Sequence, residues 1–503
     1  MRCILRRCNV PLSTLHSSGF VRLASGAFYF AILILTFYES IIFKINHLEE
    51  KKIKSARQIA LEILERVNTH EAYADVLLNS VFRKSSFLTP LDKAFITELV
   101  YGTLRWQGKI DWVINQFSNT PANKLDSLIL NIMRLGVYQL LFLTRVPPFA
   151  AVNESAKLAR CYGDIGKVKF VNANLRAVDR GRDKIEYPDI ERDPELHISV
   201  VYSHPLWMVK RWMKTFGVKA TVDLCQSNNE TPPLTIRTNT LKTPRQELFN
   251  ELEMNVKEIS LTPCSPDGLQ IRGASDITAL SSFEKGLFQV QDEASQLVAY
   301  IIAPKPGERV LDACSAPGGK TTHLAQLMGN RGEIFALDIN SSRLALLGEN
   351  CKRLGITNVK AFKKDASLPL GFSEQFNRVL VDAPCSGMGV LRRNPDSKWK
   401  KKEEDIAPLK RLQLSILNNL ADYLKEDGLI VYSTCTVIPE ENEDVIDDFL
   451  ANHPEFALDS ISEAFPASCC PPVDNRGFFK SYPHIHDMDG FFAARLIKRG
   501  IKS

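Results

Sequence analysis

The chain has 503 residues, 45% hydrophobic and 24% charged, shares ordinary for a soluble globular protein and too many residues for one ordinary domain; two to four domains are expected. Its net charge of +5 is unevenly spread: residues 51–189 hold 21 Lys+Arg against 14 Asp+Glu, a surplus that suits a polyanion. The eleven cysteines show no disulfide-framework spacing, no CxxC pair and no Cys/His cluster, which argues against a disulfide scaffold and against zinc and leaves free thiols of a reducing cytoplasm.

The first 50 residues stand apart. They contain no Asp or Glu before Glu39, and the uncharged run Leu23 to Tyr38 is short for a membrane span, which needs about 20 residues. A signal or transit sequence, a weak anchor and an upstream start codon all fit such a segment. The last is favoured, with the working protein beginning near Lys51, residues 1–50 dispensable and no stable membrane association.

Residues 55–180 read as all-helical. Ser55 precedes a helix whose Ile59, Ala60, Ile63, Leu64 and Val67 recur at helical spacing. Thr89-Pro90-Leu91-Asp92 is a helix start, with Thr as cap, Pro in the first position and an acid in the third. Residues 125–143 are apolar nearly all round, as a central helix would be. Helices are also expected from Phe149 and over 167–180. Residues 182–205 are charged and broken by prolines, and read as a linker. Residues 206–290 read as a small α+β module, with strands over 231–240 and 267–273 and a helix over 244–255. Trp207 and Trp212 are assigned to its core rather than to base stacking.

From about residue 305 strands alternate with helices. Strands are predicted at 308–312, 333–338, 359–365, 377–382, 428–434 and 490–497, and helices at 321–328, 342–354, 404–424 and 440–451. That alternation implies a mostly parallel sheet wound on both faces. The expected division is 1–50 extension, 51–185 helical domain, 186–282 linker and α+β module, and 283–503 α/β domain.

Three motifs fall at strand ends, where open α/β sheets bind ligands. The first is Asp312-Ala-Cys-Ser-Ala-Pro-Gly-Gly-Lys320, in which Gly318 and Gly319 allow a close backbone approach before a helix N-terminus. Asp338 follows at the end of the next strand, placed to hold ribose hydroxyls. The second is Asp382-Ala-Pro-Cys-Ser-Gly387 and the third Ser433-Thr-Cys-Thr436. If their strands are neighbours, Cys385 and Cys435 face one pocket. Thiols suit one particular task there. A thiolate adding to C6 of cytosine turns C5 into an enamine carbon able to take a methyl group, and Asp382 is the acid available at N3.

DACSAPGGKTTHLAQ, DAPCSGMGVLRRNPDSKW and YSTCTVIPEEN resemble the signatures of RNA cytosine-5 methyltransferases. GLFQVQDEASQ is similar to the helix that precedes their catalytic core. AVNESAKLAR and KFVNANLR resemble a NusB-type RNA-binding domain, and SHPLWMVKRW with PPLTIRTNTLK the middle module, of the RsmB (Sun/Fmu) family of 16S rRNA methyltransferases. The resemblance spans about 55–498. It implies an N-terminal NusB-like bundle, a small α+β module and a Rossmann-like class I methyltransferase domain, and a cytoplasmic enzyme, monomeric, acting on 16S rRNA without a metal. It implies an S-adenosylmethionine site at Cys314, Ser315, Ala316, Pro317, Gly318, Gly319 and Lys320 with Asp338, Asp365 and Asp382. It further implies Cys435 as nucleophile and Cys385 as the residue that assists product release, with Asp382 alongside. Ser315 stands where alanine is common and Thr436 where serine is common; both keep the side chain small.

Other readings compete. The same chemistry on tRNA or 23S rRNA is one, and a non-catalytic NusB-type RNA-binding factor is another, disfavoured by two motif cysteines beside a complete cofactor turn. A nicotinamide oxidoreductase lacks its GxGxxG turn.

Overall fold

A computed structural model of the chain describes residues 54–500 except Glu71, Ser86, 274–276, Glu374, 467–468 and the side chain of Glu463. The expectations for the first 50 residues therefore lie outside the described residues.

Apolar residues at helical spacing build the helical domain from α1 (Ala56–Thr69), α2 (Ala74–Lys84), α3 (Pro90–Arg105), α4 (Gln107–Phe117), α5 (Ser127–Phe142), α6 (Pro148–Tyr162) and α7 (Ile165–Gly181). α5 is the central helix, its Ile132, Leu135 and Val137 buried with Leu64, Leu99, Val113 and Leu175. α3 starts with the expected capping box: Thr89 Oγ1 accepts the Asp92 N–H at 3.1 Å, and Asp92 Oδ2 accepts the Thr89 N–H at 3.1 Å. Such a cap contributes about 1 kcal/mol.

The linker expected over 182–205 is not one. It carries α8 (Pro194–Val201), capped by Asp193 with Pro194 in the first turn, and Ile198 is buried. Two of the three prolines that suggested a broken chain, Pro194 and Pro205, mark helix starts, where a missing N–H costs nothing; Pro205 immediately precedes α9 (Leu206–Asn228), which kinks at Gly217. Trp212 is buried and Trp207 half-buried in the apolar cluster around α9, so both belong to the core as expected.

The α+β module is a four-stranded antiparallel sheet, order β2-β3-β1-β4, of β1 (Leu234–Thr238), β2 (Glu258–Leu261), β3 (Gly268–Arg272) and β4 (Phe288–Val290), with α10 (Arg245–Glu253) packed on it through Leu248 and Leu252. The sheet thus extends past residue 282. The segment Gly286–Gln296, expected as one helix, is strand β4 followed by the start of α11 (Glu293–Ile302), with Asp292 as cap.

The α/β domain is built on a sheet of order β10-β12-β9-β8-β5-β6-β7, with β11 beside β12. Its strands are β5 (Arg309–Asp312), β6 (Glu333–Asp338), β7 (Val359–Lys363), β8 (Phe376–Asp382), β9 (Leu424–Thr434), β10 (Phe456–Leu458), β11 (Phe479–Ser481) and β12 (Phe491–Lys498). β5 to β9 pair in parallel, while β12 joins β9 antiparallel. Helices α12 (Gly319–Leu327), α13 (Ser341–Leu354), α14 (Ser397–Lys400), α15 (Ile406–Ala421) and α16 (Glu443–Asn452) follow in sequence. α16 begins three residues later than expected, because Pro439–Glu441 forms a separate 3₁₀ turn that takes Glu441 into the interior.

The helical and α/β domains are locked together at α14. The buried Lys398 ammonium donates to the carbonyls of Arg105 (2.9 Å) and Ser203 (3.0 Å) and to Asn229 Oδ1 (3.0 Å). Trp399 Nε1 donates to the Leu104 carbonyl at 2.6 Å, and Lys400 Nζ to the Ala72 carbonyl at 2.8 Å. A buried cation needs such a full set of acceptors, because leaving it unpaired is costly.

Candidate active site

Parallel pairing brings the ends of β5, β6, β8 and β9 to one edge, and with them Asp312, Asp338, Asp382 and Thr434. The turn after β5 is held from several sides. Ser315 N–H and Oγ both donate to the Leu337 carbonyl (2.8 and 2.9 Å), Arg343 donates to the Ala316 carbonyl at 2.8 Å, and Asn350 to the Pro317 carbonyl at 3.0 Å. The Ala316–Pro317 peptide is cis. Gly318 is required by conformation, at φ 101°; a Cβ there would also lie 2.4 Å from Leu347 Cδ1. Gly319 is different. Its φ is ordinary, and a Cβ would meet nothing nearer than Gln291 at 3.9 Å, so the fold itself does not demand glycine there.

The turn is also braced by the α+β module. Arg237 of β1, fully buried, donates to the Gly319 carbonyl at 2.6 Å, to Thr322 Oγ1 at 3.1 Å and to Gln291 Oε1. Below it, Asp267 Oδ2 accepts from Tyr300 (2.8 Å) and Gln326 (3.0 Å) and lies 3.3 Å from His323 Nε2. Burial lowers the His323 pKa to about 4, and the Arg237 charge adds to this.

Four carboxylates converge on the turn. The Cys314 thiol is pushed up by burial and by the charges of Asp382, Asp312, Asp338 and Asp365 together. Asp338 is buried at the end of β6 and accepts the Asn340 N–H at 2.7 Å. Asp365 lies two residues past the end of β7 and is exposed, holding Ser367 N–H and Oγ at 2.9 and 2.6 Å. Asp382 is bound by Lys320 Nζ at 2.7 Å and accepts from Ser433 Oγ at 3.1 Å. Asp312, outside the expected set, is fully buried. Thr321 Oγ1 donates to its Oδ2 at 2.7 Å, and burial lifts its carboxyl to about 7.

The two motif cysteines meet. β8 and β9 are adjacent, with Asp382 beside Ser433, and Cys385 Sγ lies 3.3 Å from Cys435 Sγ. Both are partly exposed. The Cys385 thiol is pushed well up, first by its hydrogen bond with Cys435, then by burial. The loops come this close because Gly389 donates to the Cys435 carbonyl at 2.9 Å, while its own carbonyl accepts from Gly490 at 2.8 Å. A Cβ on Gly389 would lie 1.9 Å from the Gly490 oxygen, so only glycine fits.

Comparison with known proteins bears on what this edge does. A family model described as 16S rRNA methyltransferase RsmB/F matches residues 299–497, a NusB family model matches 54–180, and an RsmF/B-like ferredoxin-like domain model matches 204–278. The chain is 38% identical over 452 residues to the probable ribosomal RNA small subunit methyltransferase B of Bacillus subtilis, covering 89% of this chain and 100% of that protein. The chain belongs to the RsmB/F family of 16S rRNA methyltransferases.

Within that family, the ribosomal RNA small subunit methyltransferase B of Cronobacter sakazakii is 33% identical over 453 residues, 89% of this chain and 100% of its own. Among solved structures, the protein PH0851 matches with a TM-score of 0.75 at 29% identity, over 88% of this chain and 99% of that one. A methyltransferase homologue from Pyrococcus horikoshii matches with a TM-score of 0.54 at 30% identity, over 61% and 99%. The chain is thus an RNA methyltransferase with a helical NusB-like domain, a small α+β module and an α/β methyltransferase domain.

Several polar residues of this RsmB/F site were not singled out in the sequence. Glu441 and Asn442 lie within the YSTCTVIPEEN motif but fall in the stretch expected as a helix over 440–451; both are buried. Gln413 in α15 had no motif to mark it, and Arg237 in β1 lies within PPLTIRTNTLK without having been assigned to the site. Among the described residues, no group of three or more His, Cys, Asp or Glu is arranged to hold a metal ion, and no helix is long and apolar enough to cross a membrane.

Proposed function

We propose that this enzyme transfers a methyl group from S-adenosylmethionine to C5 of a cytosine in 16S rRNA through a covalent cysteine–C6 adduct. The observation that carries the proposal is the pair of thiols 3.3 Å apart at the ends of adjacent strands, beside a carboxylate-lined turn.

The turn fits S-adenosylmethionine by its donor set. A nucleoside offering ribose hydroxyls, an ammonium and a sulfonium suits acids, and Asp338, Asp365 and Asp382 supply them, with one lysine, Lys320, bound to Asp382. Cys314 to Lys320 would form the wall of that site. When bound, S-adenosylmethionine supplies a methyl group on a positively charged sulfur, suited to an electron-rich carbon. The chain's residues must create that carbon. Cys435, as thiolate, forms a bond to C6, and the C5–C6 π electrons move to make C5 nucleophilic. Asp382, acting as the acid, donates its proton toward N3 and so stabilises the negative charge that develops on the ring. After methylation a base takes the C5 proton, the freed electron pair re-forms the C5–C6 double bond, and Cys435 leaves C6 with the C–S electron pair as thiolate; Cys385 assists this elimination. The helical domain, with its positive surplus, would hold RNA phosphates.

The test separates the two cysteines. Cys435→Ala cannot form the adduct and should be inactive. Cys385→Ala should attack and methylate, then stall as a protein–RNA adduct that survives denaturing electrophoresis. An adduct trapped by Cys435→Ala and absent from Cys385→Ala would reverse the roles. Bisulfite sequencing of 16S, 23S and transfer RNA with and without the gene decides the substrate.

A further inference from the structure

Two thiols in van der Waals contact are chemically alike until their surroundings distinguish them. Here the surroundings are unequal, and the inequality traces to two adjacent residues on the turn after β9. Asn442 brackets Cys435: its Oδ1 accepts Thr434 Oγ1 at 2.5 Å, and its Nδ2 donates to the Thr436 carbonyl at 3.0 Å. Glu441 and Gln413 bracket Cys385. Glu441 Oε2 accepts the Ser386 N–H at 2.8 Å, and Gln413 Nε2 donates both to the Pro384 carbonyl (2.9 Å) and to Glu441 Oε2 (3.1 Å). Ser386 and Thr436 close the belt, oxygen to oxygen at 2.8 Å, and Thr436 Oγ1 reaches Glu441 Oε1 at 3.5 Å. Thr434, Thr436, Gln413, Ser386, Glu441 and Asn442 are all at most 4% exposed.

We infer that Glu441 and Asn442 are the positioning residues of the two-cysteine site: together they hold both loops in register, and the Glu441 carboxylate keeps a proton on Cys385 so that Cys435 is the thiol that attacks. This rests on the covalent mechanism proposed above. A fixed negative charge beside a thiol disfavours its thiolate, and Glu441 adds to the hydrogen bond and burial that raise Cys385. The proton so retained lies between the sulfurs, where it stabilises a thiolate on Cys435. Burial raises the Glu441 carboxyl, while the donors from Ser386 and Gln413 and the Lys401 charge favour its ionised form. The Tyr432 hydroxyl, also packed here, stays neutral: burial, with the Glu441 charge adding to it, pushes its pKa well up. Two loops stapled by neutral hydrogen bonds would hold their geometry equally well; the buried carboxylate is the part that tells the sulfurs apart.

The experiment is site-resolved alkylation of the full-length protein with iodoacetamide, each cysteine quantified by mass spectrometry. In the wild type, Cys435 should react at least tenfold faster than Cys385. Glu441→Gln removes the charge at constant size, and should lower that ratio at least fivefold while S-adenosylmethionine affinity is retained and the buried Cys225 stays unlabelled. Glu441→Asp keeps the charge and should hold the ratio within about threefold of the wild type. Asn442→Ala loosens the loop without changing charge, and should move both rates together with the ratio within about twofold. An unchanged ratio in Glu441→Gln overturns the proposal, as does a change accompanied by labelling of Cys225. Equal reactivity of the two cysteines in the wild type overturns it without any variant. Failure of the covalent mechanism is recognised separately, by the adducts of the two cysteine-to-alanine variants.

Discussion

Gly318→Ala is the most sharply determined perturbation of the turn after β5. Alanine at φ 101° pays backbone strain of about 1–3 kcal/mol. Its Cβ would also sit 2.4 Å from Leu347 Cδ1 and 3.4 Å from Leu347 Cα, and Leu347 is only 1% exposed, so it cannot swing aside. Overpacking of that kind costs about 1–3 kcal/mol more. The total of about 2–6 kcal/mol corresponds to a thermal midpoint lower by roughly 4–24 °C, at about 2–4 °C per kcal/mol for a domain of this size. Gly319→Ala is the control. It has ordinary backbone, 3.9 Å of clearance and the first position of α12, so stability should hold or rise by up to about 1 kcal/mol. Any loss of S-adenosylmethionine affinity in Gly319→Ala then reports a ligand lying against the backbone. Leu347→Ala separates the two costs of Gly318→Ala: alone it loses about 2–5 kcal/mol, but the double variant should recover the overpacking share, a coupling of about 1–3 kcal/mol. Scanning fluorimetry and calorimetry read both quantities. A Gly318→Ala protein as stable as the wild type, or a double variant with no coupling to Leu347, would refute the geometry of the turn.

Asp338→Ala should weaken S-adenosylmethionine binding by about 1.5–3 kcal/mol in calorimetry without altering the fold; unaltered affinity would place the ribose contact elsewhere. Arg176 and Arg180 are exposed on α7 and line a cleft of about 320 Å³ with Phe149 and Asn153. Replacing both by Glu should weaken RNA binding and flatten the plot of log affinity against log salt by about 1.4, the share of two phosphate contacts with single strands. This is a better test than deleting the helical domain, which would expose Lys398 and Trp399. His323 gives a pH prediction. Its pKa is lowered from 6.5 to about 4, so between those values the unfolded chain binds a proton that the folded one does not. Stability therefore falls as pH drops from about 6.5 to 4, by up to about 3 kcal/mol at 1.36 kcal/mol per unit. His323→Gln should flatten that part of the stability curve in urea titrations; an unchanged slope would remove His323 as its source.

Much of the architecture was legible in the residues alone. Helical spacing, the Thr89 capping box and strand runs closed by Asp312, Asp338 and Asp382 are local signals, and local signals survive without knowledge of the partners. The three motifs and their order pointed to the chemistry for the same reason: each occupies one strand end, so its residues are adjacent in sequence. What the sequence could not decide depends on contacts between distant segments. Pro194 and Pro205 read as a broken linker until the helices they start were seen packed against buried neighbours. Glu441 fell in a stretch expected as a helix over 440–451, and its burial was not legible there, because a carboxylate is buried only where donors await it, and Ser386 and Gln413 arrive from 55 and 28 residues away. Lys398 is buried for the same reason, its acceptors drawn from Arg105, Ser203 and Asn229. The 3.3 Å between Cys385 and Cys435 belongs to the tertiary structure too: the motifs put each thiol at a strand end, and only the parallel pairing of β8 with β9 puts the two ends side by side.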